Sequence, residues 1–158
     1  MAALESKSWN TGSVTVSVEP FAETSCFPIN QGLSSFNASA LGSFDHTPLV
    51  VVARSEDGSP IGGVIADLFL EWLNIQVVWV SETFRGTGIG SALMARMEAE
   101  AAALGAERAY VDTVEFQAPW FYSRLGYVEF GRLRNFVQGH DRIFYEKVLL
   151  GSRLEDAA

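Results

Sequence analysis

The stretch Val77-Val78-Trp79-Val80-Ser81-Glu82-Thr83-Phe84-Arg85-Gly86-Thr87-Gly88-Ile89-Gly90-Ser91 decides the fold, because it predicts a strand, a sharp turn and a helix in succession. Its first residues are β-branched or aromatic, which favours a strand inside a sheet. Its alternating glycines permit the turn and leave the backbone accessible to a ligand. Apolar residues then recur on one face of a helix that Gly105 ends, namely Ile89, Leu93, Met97, Ala101 and Leu104.

The start of this helix is a predicted anion site. The first N–H groups of a helix have no partner within it, and the helix dipole places partial positive charge there. With glycines in the turn, a phosphate or pyrophosphate can reach these groups. Arg85 adds a positive charge beside the turn. A tight strand-to-helix turn without a ligand is the alternative, and three alternating glycines after an arginine favour the anion site.

Three known phosphate-binding patterns can be compared with this turn. The dinucleotide pattern G-x-G-x-x-G fits Gly86 and Gly88 but has Ser91 in its last position. Asp112 follows at a suitable distance for a ribose contact, so a nucleotide-binding oxidoreductase stays an alternative. The P-loop pattern requires a lysine that the turn lacks. The pattern Arg-x-x-Gly-x-Gly is matched by Arg85, Gly88 and Gly90.

With this pattern between a strand and a helix, the chain resembles the GNAT superfamily of acyl-CoA-dependent N-acyltransferases. A second motif strengthens the resemblance and consists of Asp112-Thr113, Gln117-Ala118, Phe121-Tyr122 and Leu125-Gly126-Tyr127. The resemblance covers residues 49 to 150 and is closest to a bacterial subgroup. It implies an α+β fold, an α/β/α sandwich whose mixed, mostly antiparallel sheet has about six to seven strands, with helices on both faces.

The resemblance also implies a role for individual residues. The backbone of Val78 and Val80 would pair with the pantetheine arm of coenzyme A, and the Val80 amide would stabilise the oxyanion. Tyr122 would donate a proton to the departing thiol, since tyrosine and thiol pKa values are about 10 and about 8.5. Residues implied in cofactor binding are Val78, Val80, Arg85, Gly86, Thr87, Gly88, Ile89, Gly90, Ser91 and Gln117.

The general base is not settled by the sequence. The family often places a glutamate where this chain has Asn74, which cannot accept a proton. Glu71, Glu115, His140 or a water molecule remain as candidates. The other histidine, His46, falls in an irregular stretch, and no role is predicted for it.

The remaining chain predicts one domain over residues 1–158, with loose termini at 1–11 and 151–158. Residues 21–44 give a patchy apolar stripe that predicts one or two short helices, and Gly62-Gly63 predicts a kink or bulge. Predicted strands cover 14–18, 49–53, 61–70, 73–80, 108–114, 127–137 and 143–149, and predicted helices cover 89–104 and 117–125. The strand–helix–strand unit from 73 to 114 is expected to be parallel and right-handed.

Composition narrows the function further. The net charge of -8 argues against nucleic acid and suits a cationic small-molecule acceptor. A single cysteine, Cys26, predicts no internal disulfide and favours a cytoplasmic location. No apolar run is long enough to span a membrane, the first residues do not form a secretory signal, and no metal-ligand spacing is present. A homodimer is possible, with Trp72 as an interface residue.

The sequence therefore predicts an N-acetyltransferase that moves an acetyl group from acetyl-CoA to a primary amine in a ternary complex. No serine lies in a nucleophile elbow, so direct transfer is expected. A coenzyme-A-binding module without catalysis and a nucleotide-binding oxidoreductase are the alternatives.

Overall fold

The computed structural model describes residues 9–12, 14–42 and 46–149. Contacts divide the chain into two compact units, Met1–Phe44 and Asp45–Ala158, which are treated separately below. The predicted loose end at 151–158 and residues 1–8 of the predicted loose start lie outside the described residues. A single domain over the whole chain stays a prediction.

The first unit contains a small hairpin and one long helix. Strand β1 (Trp9–Thr11) pairs antiparallel with β2 (Val14–Val16), so part of the predicted loose start is a strand and the predicted strand over 14–18 is shorter. Helix α1 (Glu23–Leu41) is continuous for 19 residues, and the prediction of one or two short helices was wrong. Pro28 lies inside the helix, beyond its first turn, and the helix continues although proline cannot donate a hydrogen bond there. At its end, the Gly42 N–H donates to the Ala38 carbonyl.

The second unit is built on a six-stranded sheet with the order β3-β4-β5-β6-β8-β7. Neighbouring strands are antiparallel except β5 and β6, which are parallel, so a mixed, mostly antiparallel α+β fold is confirmed. Its elements are β3 (His46–Arg54), β4 (Pro60–Phe69), β5 (Trp72–Val80), α2 (Ile89–Ala103), β6 (Arg108–Val114), α3 (Pro119–Arg124), β7 (Val128–Val137) and β8 (His140–Val148). A single 3₁₀ turn, Glu82–Phe84, connects β5 to the glycines.

The core lies between one face of this sheet and helix α2. Alternate residues of the central strands are buried against the helix, as the period of two in a strand requires. The predicted apolar face of α2 is confirmed at Leu93, Met97 and Ala101, whereas Leu104 is 51% exposed. Buried strand residues include Val64, Ala66, Leu68, Leu73, Ile75, Ala109, Val111, Ile143 and Tyr145.

Gly62 and Gly63, which were predicted to mark a kink or bulge, also allow close packing. A Cβ atom on Gly62 would lie 3.0 Å from the Trp79 carbonyl oxygen, and one on Gly63 would lie 3.0 Å from the Val51 carbonyl oxygen. The glycines therefore allow three strands to approach closely. The irregularities of register lie beside them, between Ala53 and Arg54 and between Ile65 and Ala66.

Candidate active site

The two central strands separate partway along their length. Strands β5 and β6 are paired only from Trp72 to Ile75 on one side and from Arg108 to Val111 on the other. Directly after Ile75, β5 contains an extra residue, Gln76, because Ala66 is paired with Ile75 and Ile65 with Val77. Such a bulge bends a strand and increases its twist. Beyond it, β5 continues to Val80 with one edge unpaired by β6.

The orientation of the backbone along this open edge follows from one hydrogen bond. The Ser81 N–H donates to the Ile61 carbonyl at 2.8 Å, on the β4 side of the strand. Because backbone groups of successive strand residues point to opposite edges, those of Val80 and Val78 point away from β4, to the open side. The Val80 carbonyl accepts a hydrogen bond from Arg85 Nε at 3.1 Å. The Arg85 side chain thus binds the end of β5, rather than standing free at the rim of the turn.

The glycine turn leads from this edge into α2. Gly86 and Gly88 have φ angles of 74° and 90°, in the left-handed region that favours glycine. No atom lies within 4 Å of the position that a Cβ atom would take on either residue. The first helical bond comes from the Ala92 N–H to the Gly88 carbonyl. Among the described residues, the N–H groups from Ile89 to Ser91 have no backbone partner, so they can bind an anion.

Gly90, which is predicted to bind the cofactor, also has a role in packing. A Cβ atom there would lie 3.2 Å from Phe121 Cζ and 3.3 Å from Phe121 Cε2. The aromatic ring of α3 therefore rests on the first turn of α2. This contact fixes the position of the next residue, Tyr122, relative to the glycine turn.

Tyr122 is 8% exposed and lies among aromatic rings. Its ring centroid is 5.3 Å from that of Phe121 and 6.0 Å from those of Tyr127 and Tyr145. Within the described part of the chain, its hydroxyl has no hydrogen-bond partner. Burial, followed by the negative charge of Asp112, raises the pKa of Tyr122 to about 12. The hydroxyl therefore stays protonated at neutral pH and can donate a hydrogen bond.

Two other residues implied in cofactor binding have local structural partners. Gln117 Oε1 accepts hydrogen bonds from the Val114 N–H at 2.9 Å and from the Thr113 hydroxyl at 3.1 Å. Gln117 thus caps the end of β6 by hydrogen bonding, and its amide oxygen already accepts two hydrogen bonds. The Thr87 hydroxyl donates to the Phe84 carbonyl at 2.6 Å, which holds the turn together.

Asp112, the residue considered for a ribose contact, is already paired. One of its carboxylate oxygens accepts a hydrogen bond from Arg142 Nε at 2.5 Å, which raises the pKa of the guanidinium. This pair joins β6 to β8 across the sheet. The pair could not be predicted from local sequence, because its partners are separated by 30 residues.

The candidates for the general base fall at different ends of the sheet. Glu71 lies in the turn before β5, at the end opposite Val80, and its carbonyl accepts from the Glu107 and Arg108 N–H groups. Glu115 and His140 lie together at the other end, with 3.9 Å between Glu115 Oε2 and His140 Nδ1. The structure thus brings two of the three candidates to one place.

His46 is not in an irregular loop, as the sequence had suggested. It is the first residue of β3, and its Nδ1 lies 2.5 Å from Asp67 Oδ2. Its ring stacks on Phe69 with 4.6 Å between centroids. This pair lies at the end of the sheet that is remote from the glycine turn, because His46 and Phe69 are in register with Trp72.

The described part of the chain offers neither a metal-binding cluster nor a membrane-spanning helix. The described residues contain no group of three or more His, Cys, Asp or Glu side chains placed to hold a metal ion. In the same part of the chain, no helix is both long and apolar enough to cross a membrane.

An open strand edge that leads into a helix start with N–H groups left unpaired among the described residues has the shape and polarity to accommodate an extended, phosphate-bearing ligand. Comparison with known proteins identifies the family. Residues 46–129 match the family model described as an acetyltransferase (GNAT) domain. The chain therefore belongs to the GNAT acetyltransferases, and it is an acyltransferase rather than an oxidoreductase.

Individual relatives agree with this assignment. An acetyltransferase of Agrobacterium fabrum is 33% identical over 119 residues, which is 75% of this chain and 87% of the relative. The blasticidin-S acetyltransferase of Streptomyces morookaense is 42% identical over 84 residues, which is 51% of this chain and 62% of that enzyme. The crystal structure of an acetyltransferase from Bacillus cereus has a TM-score of 0.78 at 30% identity, covering 84% of this chain and 96% of that one.

Proposed function

We propose that this protein transfers an acetyl group from acetyl-CoA directly to the primary amine of a small molecule, within a ternary complex. The observation that carries the proposal is the unpaired edge of β5, which runs from Gln76 to Val80 and continues into the glycine turn. An extended arm with a pyrophosphate at its end matches this combination of edge and anion site.

The binding of the donor is assigned as follows. Backbone N–H groups of the turn and of the first turn of α2 hold the pyrophosphate, supported by the helix dipole. The pantetheine arm adds to the open side of β5 as an extra strand would, using the backbone of Val78 and Val80. Arg85 keeps the turn in place through the Val80 carbonyl.

The chemistry is assigned to the Val80 amide and the Tyr122 hydroxyl. The amide of Val80 donates a hydrogen bond to the thioester oxygen, where negative charge develops as the amine attacks. Tyr122 donates to the sulfur as the carbon–sulfur bond breaks. Because the pKa of Tyr122 is raised to about 12, its hydroxyl remains protonated until the thiolate forms beside it.

The acceptor is proposed to be a small, cationic amine. The relative from Streptomyces morookaense is a blasticidin-S acetyltransferase, and it is 42% identical to this chain over 84 residues. The net charge of -8 favours the approach of a cation. A cytoplasmic location and a homodimer stay predictions.

Calorimetric titration with acetyl-CoA tests the donor site, with NAD as the control ligand. Two matched variants sharpen the test, since Gly88 and Gly105 both have positive φ angles, of 90° and 99°, and open space around a Cβ atom. Gly88→Ala should weaken acetyl-CoA binding at least about tenfold, because the methyl group enters the anion site and strains the turn. Gly105→Ala should leave the affinity within about twofold. Equal effects, or no binding by the wild type, would contradict the assignment.

Release of thiol from acetyl-CoA tests the transfer, with blasticidin S, spermidine and butylamine as acceptors. Intersecting initial-rate patterns are expected for a ternary complex, whereas parallel patterns would indicate an acyl-enzyme. Binding of acetyl-CoA without turnover of any amine would favour a coenzyme-binding module instead.

A further inference from the structure

The position of the proton acceptor can be argued from the register of the two separating strands. Ile75 and Val111 form the last pair of β5 and β6. Allowing for the extra residue Gln76, four further steps lead to Val80 on β5 and to Glu115 just beyond β6. Each step along a strand adds about 3.3 Å, so both chain segments reach about 13 Å or less beyond the last pair. Glu115 therefore lies at the same end of the sheet as the amide assigned to the oxyanion, on the β6 side of the opening.

His140 is held beside Glu115 by the hairpin of β7 and β8. Gln138 and Gly139 turn the chain with φ angles of 47° and 85°, and His140 follows as the first residue of β8. The Glu115 N–H donates to the Asp141 carbonyl at 2.9 Å, and the Asp141 N–H donates to Glu115 Oε2 at 3.4 Å. The edge of the Phe116 ring packs on the imidazole, with 5.2 Å between centroids.

The neighbouring carboxylates are occupied by other partners. Asp141 accepts from the Asn135 N–H at 3.0 Å and from Arg132 at 3.2 Å, and both bonds lower its pKa. Asp112 is bound by Arg142. Glu115 is the charged group that faces His140 directly. The packed strands carry further charges at this end of the sheet, namely Asp112 on β6, Arg132 and Arg134 on β7, and Asp141 and Arg142 on β8.

His140 has the features required to accept a proton. Its Nδ1 faces Glu115 Oε2 at 3.9 Å, a distance that a small movement would shorten to a hydrogen bond, as is common when a substrate binds. Among the described residues, its Nε2 has no hydrogen-bond partner. The side chain is 46% exposed, so an acceptor can reach it.

We propose that His140 is the catalytic base, and that Glu115 is a positioning residue that orients its imidazole. This inference rests on the acetyl transfer proposed above. The amine loses its first proton to solvent before it attacks. As its nitrogen bonds to the thioester carbon, the carbon–sulfur electron pair leaves with sulfur. His140 Nε2 takes the second proton from nitrogen, and sulfur takes one from Tyr122. Solvent then removes the proton from His140 and restores the one on Tyr122.

The test compares two histidine variants across pH 6 to 10, with the best acceptor among blasticidin S, spermidine and butylamine. His140→Gln should lower kcat/KM about 100-fold at pH 7, within the usual contribution of a general base. The deficit should shrink to less than about tenfold at pH 10, where hydroxide in the solvent can take the second proton in place of His140. The KM for acetyl-CoA should change less than about twofold.

The chain offers a matched control in His46→Gln, the same change at the remote end of the sheet. This variant should keep kcat/KM within about twofold at every pH. Glu115→Gln should give a smaller loss, of about tenfold, and should move the acidic limb of the pH profile, which loss of packing alone would not do. Thermal melting confirms that each variant is folded.

Three outcomes would overturn the inference. If the wild-type enzyme is active and His140→Gln changes neither kcat/KM nor the acidic limb of the pH profile, His140 is not the base, and the proposal of acetyl transfer still holds. A wild-type protein that acetylates none of the three amines would remove both proposals. A loss that is equal at pH 7 and pH 10 would also contradict the role, because it would indicate a structural effect.

Discussion

The contact between Gly90 and Phe121 yields a quantitative prediction, because it is the point where α3 rests on α2. A Cβ atom on Gly90 would lie 3.2 Å and 3.3 Å from two ring carbons of Phe121, whereas carbon atoms prefer about 3.5–4.0 Å. Valine adds two further carbons. Such overpacking costs about 1–3 kcal/mol, and the better helix propensity of valine recovers about 0.4 kcal/mol. The free energy of unfolding of Gly90→Val should therefore fall by about 0.5–2.5 kcal/mol.

The assay is a double-mutant cycle by urea unfolding. Phe121→Leu shortens the side chain and removes the ring carbons that the valine would meet, so the two changes should compensate each other. Directly contacting residues typically couple by about 0.5–3 kcal/mol, and we expect at least about 1 kcal/mol of favourable coupling here. Costs that simply add, within about 0.5 kcal/mol, would refute the explanation of Gly90 as a packing glycine. Turnover should recover together with stability, because Tyr122 follows Phe121 in the helix.

Three further predictions follow from neighbouring groups. Tyr122→Phe should lower kcat about 10–100-fold in the thiol-release assay with less than about twofold change in the KM for acetyl-CoA, and an unchanged kcat would exclude the proton donor. Folding lowers the pKa of Asp141, so its carboxylate stabilises the folded protein at pH values above the pKa that it has in the unfolded chain. This contribution is lost as the pH falls through the lower pKa that Asp141 has in the folded protein. The difference in melting temperature between wild type and Asp141→Asn should accordingly shrink from pH 7 to pH 3, and a constant difference would contradict this. Among the described residues, Lys147→Met leaves Glu98 with the Tyr127 hydroxyl as its one hydrogen-bond donor. The free energy of unfolding in urea should therefore fall by about 1–3 kcal/mol. The control Arg96→Met, which removes a surface ion pair, should lower it by less than about 0.5 kcal/mol.

The sequence was sufficient for the strands and for α2 because their evidence is local. Runs of β-branched residues and a helical apolar period set both the type and the approximate bounds of these elements. The glycine turn could be placed as well, since Gly86 and Gly88 take the positive φ angles that only glycine adopts readily. In α1, by contrast, Pro28 and Gly32 suggested interruptions that the helix does not have.

The partners of the site residues could not be predicted in the same way. Arg142 meets Asp112, and His140 meets Glu115, only because β6 and β8 are neighbours in the sheet. Nothing in the local pattern of either strand specifies this pairing. One missed feature did leave a signal: apolar residues alternate at Leu73, Ile75 and Val77, and the adjacent Val78 breaks this alternation, as an extra residue in the strand requires.

That extra residue has a consequence for insertions and deletions. Side chains of a strand alternate between its two faces. Ile75 and Val78 are three residues apart, so both can point into the core only because Gln76 is an extra residue between them. A single-codon deletion of Gln76 would restore the parity of the strand. The half that follows would keep its inward valines on the core face, but without the bulge the strand would straighten and meet β6. One missing codon would thereby close the ligand edge without altering any residue from Val77 to Val80.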